Sequence, residues 1–64
     1  MSEREIEVLQ LIAAGLSNKE IGIRLHLSLN TIKTHTRNIY SKLGVNSRLQ
    51  AVSRAQVLEI ISSA

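Results

Sequence analysis

Lys33, Thr34 and Arg37 fall at i, i+1 and i+4 in a stretch, Ser28 to Val45, that contains no carboxylate at all. An ammonium and a guanidinium one helical turn apart are donors suited to phosphates and to base edges, above all guanine O6 and N7. The methyl of Thr34 supplies an apolar contact of the kind a thymine methyl accepts. Each productive base contact is worth ~1–3 kcal/mol of discrimination. A ring of polar groups surrounds the three. Asn18 and Lys19 open one predicted helix, and Ser28, Asn30 and Thr31 open the next, where free backbone amides attract anions. Asn38, Lys42 and Arg48 lie further along, and all eight are expected to meet the nucleic-acid backbone.

These groups need a scaffold. On a wheel of about 3.6 residues per turn, Leu29, Ile32, Thr36, Ile39, Tyr40 and Leu43 take one side, and Asn30, Lys33, Thr34, Arg37, Asn38 and Ser41 the other. Serine followed three residues later by Glu or Gln marks a capping box at Ser2–Glu5, Ser17–Glu20 and Ser47–Gln50. Ser28 can cap the helix that follows it, with Thr31 at the third position. Gly15 and Gly44 stand where helices end. The pattern predicts helices over 2–14, 18–25, 29–43 and 47–61. Only His26, Leu27 and Ser28 separate the second from the third, so the two must cross steeply, as in a helix-turn-helix.

Ile6, Leu9, Ile12 and Ala13, widened by Val8 and Leu11, give the first helix its core stripe; Ala51, Val52, Ala55 and Leu58 do so for the fourth. Gly22 lies inside the second helix at a cost of about 1 kcal/mol relative to Ala, which points to close approach of another helix backbone. The fourth helix has a second face, Leu49, Ser53, Gln56 and Ile60 at i, i+4, i+7 and i+11. It is expected to be a weak homodimer seam.

Size and composition bound the rest. Sixty-four residues without cysteine must fold around an aliphatic core, with Tyr40 the only aromatic and no proline. The fold class is all-α. The net charge of +3 is unevenly placed: residues 1–16 carry −2, residues 17–48 carry +5, and residues 49–64 cancel. The basic middle fits a polyanionic partner. No apolar run spans a bilayer and no signal-peptide layout is present, so a cytoplasmic location is expected. His26 and His35 have no third metal ligand near them, and no cofactor motif or catalytic constellation is present. Neither a metal, a cofactor nor an enzymatic activity is expected.

Ser17-Asn18-Lys19-Glu20-Ile21, Leu25, Ser28, Thr31-Ile32-Lys33-Thr34-His35, Ile39, Lys42-Leu43-Gly44-Val45 and Arg48 resemble the DNA-binding domain of LuxR/FixJ-type (GerE-like) bacterial regulators. The opening Ser2-x-Arg4-Glu5-x-Glu7-Val8-Leu9 matches as well. The stretch from Thr31 to Val45 is especially similar to MalT-like ATP-dependent regulators. The resemblance implies a four-helix domain over residues 1–64, a piece of a larger transcription regulator. Its third helix would enter the major groove of double-stranded DNA through Lys33, Thr34 and Arg37, and its fourth would support dimerisation on paired half-sites. It also implies a regulatory domain and RNA polymerase as partners of the full-length protein. Met1 and Gly22 depart from the family's usual leucine and alanine. A sigma-factor region-4-like promoter reader, or a basic helical module that docks an acidic protein, are the alternatives.

Overall fold

The computed structural model describes residues 1–61. Four helices follow one another: α1 (Glu3–Ala13), α2 (Asn18–Leu25), α3 (Leu29–Leu43) and α4 (Arg48–Val57). Serine opens each of them. Ser2 and Ser17 close reciprocal capping boxes with Glu5 and Glu20, and Ser28 accepts from the Thr31 amide. The fourth box is only half formed. Ser47 Oγ accepts from the Gln50 amide, but the Gln50 side chain accepts from the Asn46 N–H at 3.0 Å, one residue before the cap.

All four helices end in the same left-handed turn. The residue after each last turn sits at positive φ, and the next amide reaches back five residues, as in Leu16 N–H to the Leu11 carbonyl and Val45 N–H to that of Tyr40. Gly15 and Gly44 take two of these positions, as expected. His26 (φ 58°) and Glu59 (φ 58°) take the other two, without the glycine that would have marked them. The Glu59 turn corrects the expected fourth helix. α4 stops at Val57, Leu58 stands half exposed at its cap, and the chain doubles back so that Ile61 enters the core in its place.

α1 and α3 each touch all three other helices, while α2 and α4 lie apart on either side of that pair. The core is Val8, Leu9, Ile12, Ile21, Ile32, Ile39, Leu43, Ala51, Ala55 and Ile61. The buried stripe of α1 runs through Glu5, Val8, Leu9 and Ile12, so Ala13 is exposed and Ile6 only half-buried, a small rotation from the expected face. Leu29 also departs from its expected side: at the first position of α3 it projects past the packed turns and is 44% exposed.

Gly22 is buried, and a Cβ there would lie 2.7 Å from the carbonyl oxygen of Leu27 and 3.6 Å from Ile32 Cγ1. The close neighbour is therefore the backbone of the turn, not of another helix. The Leu27 amide in turn donates to the Gly22 carbonyl at 2.8 Å. This mutual contact draws the turn down onto α2 and sets where α3 begins.

Candidate nucleic-acid interface

α3 buries Ile32, Thr36, Ile39 and Leu43 and turns Asn30, Lys33, Thr34, Arg37 and Asn38 to solvent. The structure thus brings Lys33, Thr34 and Arg37 together on one open face. Among the described residues neither Lys33 nor Arg37 is paired with a carboxylate. Two threonines on this helix bind their own backbone. Thr34 Oγ1 donates to the Asn30 carbonyl at 3.1 Å, and buried Thr36 Oγ1 to that of Lys33 at 2.9 Å. With its one hydrogen so committed, Thr34 offers the groove a methyl group more readily than a donor.

The surrounding ring is less uniform than its sequence suggested. Lys19, Asn30 and Asn38 are exposed. Ser28 Oγ and Thr31 Oγ1 lie 2.8 Å apart, and Ser28 Oγ also takes the Thr31 amide at 3.1 Å, so both hydroxyls serve the cap of α3. Asn18 buries its amide oxygen, which finds no hydrogen-bond partner among the described residues. Lys42, expected against the nucleic-acid backbone, places its ammonium 2.6 Å from Glu5 Oε1. Arg48 is half-buried and donates to the carbonyl oxygen of Leu16, tying the start of α4 to the turn between α1 and α2.

Glu5 is the residue that sequence reasoning missed. Its place in the first turn of α1 suggested only a favourable charge at a helix start. Its carboxylate is in fact buried, and it accepts from Lys42 Nζ and from the Ser2 amide at 3.1 Å. The Lys42 hydrogen bond first, then the Ser2 amide, hold its pKa below the ordinary value, against the opposing effect of burial. The signal was available: Glu5 precedes Leu9 by four and Ile12 by seven, so it lies on the buried stripe. Glu20 is also held low, through the Ser17 amide and hydroxyl and the nearby charge of Arg48.

An exposed cationic face on the second of two packed helices joined by a three-residue turn is the arrangement of a DNA reader. Residues 1–55 match the family described as bacterial regulatory proteins, luxR family. The chain belongs to that family. It is 54% identical over 52 residues to the response regulator protein VraR of Staphylococcus aureus (strain NCTC 8325 / PS 47), and equally to VraR of Staphylococcus epidermidis. Those matches take in 81% of this chain and 25% of each relative, so the chain spans about a quarter of their length. The crystal structure of the response regulator ChrA, from a heme-sensing two-component system, superposes with a TM-score of 0.92 at 47% identity. It covers 94% of this chain and 30% of ChrA. The luxR-family chain is therefore a DNA-binding output domain of a bacterial transcription regulator, with the expected all-α helix-turn-helix fold. These relatives are response regulators, and the MalT-like character of the third helix gains nothing from them.

Proposed function

We propose that this luxR-family domain reads specific DNA sequences by laying α3 in the major groove, with Lys33, Thr34 and Arg37 on base edges. The observation that carries this is their exposure on one face that holds no carboxylate, opposite the face that buries Ile32, Thr36, Ile39 and Leu43. Lys33 and Arg37 donate to guanine, and Thr34 presents its methyl to thymine. Lys19 and Asn38, with the amides at the starts of α2 and α3, hold phosphates. Lys42 and Arg48 act first within the fold, through Glu5 and Leu16.

Pairing on two half-sites runs through α4. The structure keeps Leu49 (79% exposed) and Ser53 on one face but leaves Gln56 half-buried and takes Ile60 off the helix, against the core. Val57, 74% exposed, follows Ser53 by four and completes the face. The seam is short, so the isolated domain pairs weakly. The domain is the output end of a longer cytoplasmic regulator, consistent with the quarter of its relatives' length that it spans. A regulatory domain and RNA polymerase are its further partners, and no catalytic step belongs to this reading. Binding to selected and to random duplexes across a salt series tests it: the selected duplex binds tighter at every salt, and equal affinity throughout contradicts the proposal.

A further inference from the structure

Asn30 shares the outer stripe of α3 with the three base readers, at i, i+3, i+4 and i+7 through Lys33, Thr34 and Arg37. It is exposed, and among the described residues its side-chain amide makes no hydrogen bond. Every other polar side chain of that first turn is committed. Ser28 and Thr31 bind each other and the cap, and Thr34, one turn on, donates its hydroxyl to the Asn30 carbonyl. The polar reading at this end of the helix therefore falls to one free carboxamide.

A phosphate presents acceptors only and would use half of that group. Adenine presents N7 as acceptor and N6 as donor side by side in the major groove, and a carboxamide meets both at once. We propose that Asn30 is a fourth base-reading residue and that it recognises adenine. This rests on the major-groove reading of α3 above, and it replaces the backbone role expected for Asn30 from sequence.

The test selects bound duplexes from a randomised pool with the wild-type chain and with Asn30→Ala. Asn30 is exposed and alanine favours helix, so the variant keeps its fold, which circular dichroism verifies. The wild-type motif contains an adenine whose preference falls roughly five- to hundredfold in Asn30→Ala, while the other positions keep theirs. Replacing that adenine by 7-deazaadenine, which lacks the N7 acceptor, weakens the wild type and leaves Asn30→Ala indifferent. If Asn30→Ala keeps the wild-type motif, whether it weakens all duplexes alike or none, the adenine assignment is wrong while the reading by α3 stands. A wild-type chain that selects no motif overturns both.

Discussion

Lys33 and Lys42 belong to the same helix, yet one ammonium faces solvent with no carboxylate beside it among the described residues and the other lies 2.6 Å from the buried carboxylate of Glu5. The N-terminal half of α3 is an open surface set in place by a steric contact, the Leu27 carbonyl lying against Gly22. The C-terminal end is pinned to α1 by a charge. The difference teaches that counting cations along a helix overstates its DNA-facing set. Lysines of one sequence pattern divide into those that meet a partner and those that hold the helix which presents them.

The steric anchor is the most brittle part of this arrangement. Gly22→Val places methyl groups where even a Cβ would stand 2.7 Å from the Leu27 oxygen. It should destabilise the domain by about 2–3 kcal/mol in denaturant unfolding. Gly22→Ala should itself lose about 1–2 kcal/mol, because its Cβ meets a backbone oxygen that cannot swing aside as a side chain would, and the gain in helix propensity recovers only part of that. A Gly22→Val chain as stable as wild type would show that the contact does not position α3.

The charged anchor predicts a smaller loss with a pH signature. Glu5→Gln keeps an acceptor but removes the charge, at a cost of about 1 kcal/mol near neutral pH, since Lys42 is half exposed. The folded-state pKa of Glu5 lies below its ordinary 4.5, so the unfolded chain takes up the proton first. The stabilisation is therefore fully present above about 4.5 and is lost as the pH falls through the lowered value. Unfolding free energies from neutral pH downward should decline less steeply in Glu5→Gln than in wild type. Parallel curves would separate Glu5 from the acid sensitivity.

The two classes of lysine also separate in salt. Lys19→Ala should reduce the slope of log affinity against log salt by about one, by removing a phosphate contact. Lys42→Ala should change it much less, because Glu5 already neutralises that charge in the fold. Equal changes in the two slopes would erase the distinction.

Much of this was legible in the residues. The four serine caps, the two glycine stops and the outward set of Lys33, Thr34 and Arg37 all follow from local chemistry that tertiary packing does not override. What escaped is what packing decides. His26 and Glu59 hold left-handed conformations that cost a non-glycine residue about 1–2 kcal/mol, and no glycine marks them. The burial of Ile61 and the half-burial of Leu27 accompany those turns, and such contacts exist only once the bundle has formed. Glu5 was hidden for the same reason, since its partner lies 37 residues away. His26→Gly should relieve its strain and raise stability by about 1 kcal/mol, comparable in size to the Glu5→Gln loss but opposite in sign, and measurable in the same unfolding experiment.

The measurement that bears most directly on the outward face is the ratio of affinities for a selected over a random duplex, compared in wild type, Lys33→Ala, Arg37→Ala and Lys42→Ala. Lys33→Ala and Arg37→Ala should each lower that ratio by roughly five- to hundredfold, the worth of a base contact, while Lys42→Ala leaves it near the wild-type value. A ratio untouched by Lys33→Ala and Arg37→Ala, or lowered equally by all three substitutions, would contradict the assignment of the open face of α3 as the reader.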